Sequence, residues 1–398
     1  MKLEKILSAP EQSLLYMERM VNNGSPSKLS FLYTTSKETC PLYTDKFFLC
    51  GIKGEKKNLV TYGVCDYDFL KTDIMLLHPD WKEKKVYSSI ITTDIQVAPT
   101  SSSRTVKIIG EKVYIKLFYP GVLGRITREL RKEHILSSID VTNVLFELIT
   151  TNSVPDSFAF FPEKGGRLLK CEQGDIGYVI REAVPVGRQC KNICALIPAF
   201  SLFSKDRLSE DEPIIIQILK DKRDKDCFLL EQLIYPIIDC YFSCVFNGGI
   251  QPELHSQNFL IGIDGDLNIV SIVLRDLESA DKDLTIMKQF GKVFHIQSKP
   301  YKCIEEQQYN YKIKHSFMYD HKLGEYFFDE LLTCVQKYES IQIERMQDAI
   351  KKYVNQHYGI LLKDFFPNNK LWYKFDNVLI DRAQENRPYI SFPEPKYR

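Results

Sequence analysis

PELHSQNFLIGIDGDLNIVSIVLRDLE, residues Pro252 to Glu278, is the stretch on which the fold turns. Apolar residues run through Phe259, Leu260, Ile261 and Ile263, stop at Asp264-Gly265-Asp266, and resume through Ile269, Val270, Ile272, Val273 and Leu274. Two β-rich runs around Asp-Gly predict a hairpin. Once it closes, Glu253, His255 and Asn258 before the first strand lie near Arg275 and Asp276 after the second. Two carboxylates, an amide and an imidazole then share one end of a sheet. That donor set suits a magnesium-bound phosphate chain, because Mg2+ takes oxygen ligands and usually shares them with substrate phosphates.

A second stretch, Ala98 to Leu130, reads APTSSSRTVKIIGEKVYIKLFYPGVLGRITREL. Its Ser/Thr run offers hydroxyls and backbone amides for phosphate oxygens, and Arg104 adds a bidentate fork. Lys116 follows twelve residues later, on the second strand of a hairpin turning at Gly110-Glu111, and Arg128 twelve after that. A helix is expected over roughly 124–135, carrying Arg125, Arg128 and Arg131. Ser102, Ser103, Arg104 and Thr105 with Lys116 and Arg128 make a triphosphate cradle. It is not a P-loop: neither G-x-x-x-x-G-K-[ST] nor G-x-G-x-x-G after a strand occurs.

The 398 residues suffice for two or three domains. With 44% hydrophobic and 26% charged residues, the composition is that of an ordinary globular chain, and a net charge of +1 argues against a nucleic-acid binder. Eleven cysteines without a Cys-x-x-Cys pair read as reduced thiols in a cytoplasmic protein. The start, MKLEKILSAPEQS, does not read as a signal peptide, and Phe228–Phe246, interrupted by Glu231, Pro236 and Asp239, reads as a buried helix rather than a membrane span.

Along the chain, residues 1–75 mix a helical start with short β-like runs, and 76–185 turn strongly β. The remainder, 186–398, is mainly helical around the opening hairpin, with helices expected at 191–204 and 226–246, the second stopping at Gly248-Gly249. The expectation is an α+β fold with a cleft between a β-rich and a helix-rich part.

Taken singly, each motif has a plain structural role. Ser-Ser-Ser-Arg-Thr is a polar turn, Lys116 an edge-strand charge, Arg128 a solvated cation, His255 a satisfied core histidine and Asp276 a cap. Together they form a pattern. His78-Pro79, Ser102-Ser103-Arg104-Thr105, Lys116-Leu117, Arg128, Tyr178 to Glu182 (YVIRE), Glu253 to Asn258 (ELHSQN) and Arg275-Asp276 stand in that order. This resembles the NRPS-independent siderophore (NIS) synthetases, the IucA/IucC family, over about residues 75–290.

The resemblance implies β-rich fingers and a helical palm with a kinase-like hairpin, ATP lying in the cleft between them. It implies an ATP-dependent ligase that adenylates citrate or another di- or tricarboxylic acid and passes the acyl group to an amine or alcohol. Ser102, Ser103, Arg104 and Thr105 would hold phosphates, and Lys116 and Arg128 would neutralise charge on the α-phosphate and pyrophosphate. His255, Gln257 and Asn258 would bind phosphate or ribose oxygens, and Glu253, Asn258 and Asp276 would hold Mg2+. Arg104, Lys116, Arg128 and His255 would be the catalytic groups. Expected partners are the small carboxylate and a polyamine, amine or hydroxylamine substrate, with no nucleic acid or membrane; a homodimer would suit the family.

The chain departs from the pattern in places. The region before residue 75 is read as shortened, the family's His-Pro-x-His-Pro-x-x-Lys is absent, His78-Pro79 is followed by Asp80-Trp81-Lys82, and Phe118 follows Lys116-Leu117. Two other readings stay open: a kinase-like small-molecule phosphotransferase, with Glu253 five residues before Asn258, and a non-catalytic nucleotide-binding partner of a longer synthetase.

Overall fold

The computed structural model describes residues 1–26, 35–84, 89–123, 126–172, 174–289, 295–299, 301–308, 311–368, 371–373, 389–391 and 395–398. The fold is α+β, as expected. Its larger sheet is antiparallel and eight-stranded, in the order Leu59–Gly63, Gly165–Leu169, Ile176–Glu182, Val113–Leu117, Thr105–Ile108, Ile90–Pro99, Phe47–Lys53, Ile74–Leu77. One face packs Leu49, Val97, Val106, Ile115 and Tyr178 into a core closed to solvent. The sheet curls until its far strands approach, and Arg167 donates to the Ile74 carbonyl at 3.3 Å. Phe47–Lys53 pairs with both Ile74–Leu77 and Ile90–Pro99, so the boundary expected at 75/76 falls inside this sheet.

The smaller, five-stranded sheet contains the opening hairpin, with Phe259–Ile263 against Ile269–Leu274 in the register Phe259↔Leu274 and Ile261↔Ile272. Ala195–Pro198 pairs antiparallel with the outer strand of the hairpin. The helix expected at 191–204 is therefore mostly a strand between short 3-10 turns. An open strand edge drew this apolar segment into pairing, which outweighs its helical spacing.

The helix expected from about 124 begins only at Lys132 and runs to Thr150. Before it, Val122–Leu123 pairs with Ile126–Thr127, and the Arg131 amide donates to His134 Nδ1 at 3.1 Å, which caps the helix start. Arg128 thus lies in extended chain rather than on a helix; Gly124 and Arg125 fall outside the described residues.

Lys225–Gly248 is one long helix, the only one among the described residues long and apolar enough to cross a membrane. Here it is the centre of the core: Ile237, Ile238, Cys240, Tyr241, Phe242, Cys244 and Val245 have no exposed surface. A π-helical turn at Leu229–Ile234 precedes Pro236, where the wider winding accommodates the ring that an α-turn would clash with. The helix stops at Gly249, whose φ of 64° is left-handed. All eleven cysteines are free thiols.

Candidate active site

The site lies where the open end of the hairpin meets the loop between Ile90–Pro99 and Thr105–Ile108. The Asn258 amide donates to the His255 carbonyl at 2.8 Å and the Arg275 amide to the Asn258 carbonyl at 2.9 Å, which ties the two ends of the hairpin together. The next residue, Asp276, takes a left-handed backbone (φ 67°), which Asp tolerates better than most residues. This bend turns the chain out of the sheet. Asp276 pairs with Lys116 at 2.8 Å and with Arg181, and two residues on, Glu278 meets the same Lys116 at 2.7 Å and Arg104 at 3.6 Å.

Strand register brings the cations together. Thr105 is opposite Lys116, and the Leu117 amide donates to the Arg104 carbonyl at 2.9 Å. Arg104 in turn donates to the Arg128 carbonyl at 3.1 Å. In the loop, Ser102 Oγ accepts from the Thr105 amide at 3.0 Å. Ser103 is left-handed (φ 63°), fully buried, and its hydroxyl has no hydrogen-bond partner among the described residues. Strained backbone and an unsatisfied buried hydroxyl persist only where the surroundings hold them, and such features cluster at functional sites. His78, from the resemblance, is buried between Phe47 and Tyr119 beneath this loop and supports it.

A narrow cleft is lined by Ser102, Thr105, Arg181, Gln257, Asn258 and Asp276, among others. Arg104, Lys116 and Arg128 stand beside it. Of the expected metal-holding residues, Asn258 and Asp276 belong to it, whereas Glu253 is turned to Lys322 at 2.6 Å. The carboxylate adjoining Asp276 across one cation is Glu278 instead. Among the described residues no group of three or more His, Cys, Asp or Glu side chains is arranged to hold a metal ion. The oxygens of Asp276, Glu278 and Asn258 nevertheless suit an ion that completes its shell with phosphate and water, as Mg2+ does, and a cationic ammonium already sits between the two carboxylates.

Besides Glu278, three groups escaped the sequence reading. Arg181 donates through Nε to Glu163 at 2.8 Å and also binds Asp276. Glu163 is itself held by Ser138 Oγ at 2.7 Å. Glu18, on the helix Pro10–Met20, accepts from the Ser101 hydroxyl at 2.6 Å and from Arg275. Arg275 Nε donates to the Gln257 carbonyl at 2.7 Å, and Gln257 Nε2 to Ser101 Oγ at 3.4 Å, closing a ring around the cleft. Arg181 sits in the quoted run YVIRE, but only strand pairing shows which way it faces; nothing local marks Glu18.

The charges are set by burial and partners. Burial pushes the Arg104 guanidinium down to about 10, against the pull of Glu278 and with the push of Arg128. Burial also works against the Asp276 and Glu278 anions, but Lys116 with Arg181 or Arg104 outweighs it: Asp276 falls well below the usual carboxylate range and Glu278 to about 2. Burial lowers His255 to about 4, so its imidazole is neutral near pH 7. The Gln257 amide donates to His255 Nδ1 at 3.2 Å; an amide can only donate, so the ring proton is on Nε2.

The molecule has the fold of the NIS siderophore synthetases, as the sequence resemblance implied. The petrobactin biosynthesis protein AsbB from Bacillus anthracis superposes with a TM-score of 0.70 at 16% identity, over 89% of this chain and 69% of that one. The ATP-bound aerobactin synthetase IucA from Klebsiella pneumoniae gives 0.68 at 13% identity, over 99% and 80%, and its IucC 0.62 at 11%, over 83% and 67%. No protein-family model and no curated protein sequence matches the chain.

Proposed function

We propose that this chain is an ATP-dependent ligase that activates the carboxylate of a di- or tricarboxylic acid as its adenylate and joins it to an amine or alcohol, in siderophore-type biosynthesis. The observation that carries the reading is the meeting of Arg104, Lys116, Arg128 and Arg181 with Asn258 and Asp276 beside one cleft, in a fold shared with a synthetase solved with ATP.

In the first step a substrate carboxylate oxygen attacks the α-phosphorus, and the bond to the β-phosphate oxygen breaks to release pyrophosphate. In the second, the amine or hydroxyl attacks the acyl carbon, loses its proton, and AMP leaves. Neither step needs a side-chain nucleophile; positioning and charge neutralisation suffice. Ser102, Ser103 and Thr105 offer hydroxyls and amides to the phosphates. Arg104, Lys116 and Arg128 oppose the charge that develops on the α-phosphate and on pyrophosphate, while His255 Nε2 and the Gln257 and Asn258 amides donate to phosphate or ribose oxygens. Mg2+ held by Asn258 and Asp276 would neutralise and orient the phosphate chain; Glu253 would reach it only by leaving Lys322.

Product analysis tests the reading. The protein is given ATP, Mg2+, hydroxylamine and a panel of citrate, 2-oxoglutarate and succinate, with Asp276→Ala as control. AMP, pyrophosphate and a hydroxamate, all lost in the variant, are expected. ADP in place of AMP would overturn the ligase reading in favour of phosphoryl transfer, and ATP binding without turnover would leave a non-catalytic partner.

A further inference from the structure

The carboxylates at the end of the hairpin already hold a cation, and it is a side chain. Lys116 Nζ lies 2.8 Å from Asp276 Oδ1 and 2.7 Å from Glu278 Oε1, with its side chain 2% exposed. Arg181 closes on that same Asp276 oxygen and Arg104 stands 3.6 Å from that same Glu278 oxygen. With Glu163 behind Arg181, three carboxylates face three cations, and Arg128 adds positive charge beside Arg104. Among the described residues these three carboxylates are matched by the three cations, which leaves none of their charge over for a divalent ion. Without the ammonium, two close buried carboxylates would repel each other, and a proton or a metal would be needed to relieve them.

The three cations differ in freedom. Arg181 is fixed by Glu163 and Arg104 by the Arg128 carbonyl. Lys116 is a point charge on a flexible stem, and its pairing with Thr105 places it directly beneath the Ser/Thr loop. Phosphates bound there would compete with the carboxylates for its ammonium.

We infer that Lys116 is the resident counter-cation of the Asp276–Glu278 pair, and that a divalent metal enters only with a nucleotide, in exchange for it. Polyphosphate draws the ammonium away, and the freed carboxylate oxygens, those of Glu278 included, pass to the metal. This rests on the nucleotide-binding reading above and adds an order to it: metal alone finds no site.

Mn2+ serves as the probe, followed by water-proton relaxation, which changes when the ion is held on the protein. Full-length wild type, Lys116→Gln and the double variant Lys116→Gln/Asp276→Asn are titrated without nucleotide, and wild type also with ATP. Wild type is expected to bind Mn2+ only with ATP. K116Q is expected to bind it without nucleotide about tenfold or more tightly than wild type, a difference of about 1.4 kcal/mol, and the double variant to lose that gain. Wild type that holds Mn2+ alone as tightly as K116Q, or a folded K116Q that gains nothing, overturns the inference. If K116Q does not fold, wild type alone decides, since binding of Mn2+ without nucleotide contradicts the exchange. Wild type that fails to bind ATP sinks the nucleotide reading instead, and the nucleotide-free arm of K116Q still tests the exchange.

Discussion

Glu18 and Arg275 stand 257 residues apart and form one buried ion pair, the carboxylate 2% and the guanidinium 11% exposed. The same carboxylate accepts from the Ser101 amide and hydroxyl. Glu18→Ala leaves a nearly buried guanidinium without its counter-charge, only the Gln257 carbonyl still accepting from it, and the Ser101 amide without its acceptor; the expected loss is about 3 kcal/mol of stability, read from urea unfolding. A loss under about 1 kcal/mol would be that of a solvent-exposed pair and would deny the residue this stapling role.

Arg181→Lys keeps the charge and removes the fork that spans Glu163 and Asp276. One ammonium cannot reproduce both contacts with the same orientation. ATP turnover is expected to fall roughly ten- to a hundredfold, equivalent to about 1–3 kcal/mol, with most of the fall in kcat. Unchanged kinetics would show that Asp276 is oriented by other groups.

Acid should weaken the molecule over a defined range. Glu253 and Glu278 both drop from 4.5 to about 2, burial opposing and Lys322 or Lys116 prevailing. Between those values the unfolded chain binds protons that the folded one refuses. Their stabilisation is therefore complete above about pH 4.5 and disappears as pH falls through about 2. Unfolding free energies measured from pH 5 to pH 2 should slope less steeply in Glu253→Gln than in wild type; identical slopes would refute the assignment.

His255 gives the opposite kind of group the same sign. Lowered from 6.5 to about 4 by burial, it makes the fold lose stability as pH falls through that window. Imidazole NMR should report an Nε2–H tautomer with no titration above about pH 5. A ring that titrates near 6.5 would contradict its burial.

Gly249→Ala tests the helix stop. A Cβ there would meet the Asp283 carbonyl at 2.8 Å and Met287 Cγ at 2.5 Å, on a backbone at φ +64°. The loss expected in a thermal melt is about 2 kcal/mol or more. A variant as stable as wild type would mean that the turn relaxes freely.

The local signals in the sequence were the reliable ones. Asp-Gly between apolar runs marked the hairpin, Gly110-Glu111 the upstream turn, and Gly248-Gly249 the end of the core helix, because each depends on backbone preferences of adjacent residues. Arg128 falls outside the expected helix because strand pairing of Ile126–Thr127 with Val122–Leu123 holds this segment extended, which overrides a helical spacing of three. Ala195–Pro198 was misread because its partner, Leu260–Ile263, lies more than sixty residues away in sequence. Of the site, the sequence showed the residues but not who holds whom. Lys116 meets Glu278 across 162 positions and Arg181 meets Asp276 across 95, and no periodicity carries that information.

The bond from Glu18 to Arg275 also sets a timetable. The helix Pro10–Met20 packs beside Ala195–Pro198 and reaches its charge partner only at Arg275. On a ribosome adding about 5–20 residues per second, the interval between making Glu18 and making Arg275 is roughly 13–50 s. Throughout that time the apolar residues Leu14, Met17 and Met20 of this helix have no finished surface to dock on. A chaperone holding the nascent chain would keep hold of this segment until Arg275 is made.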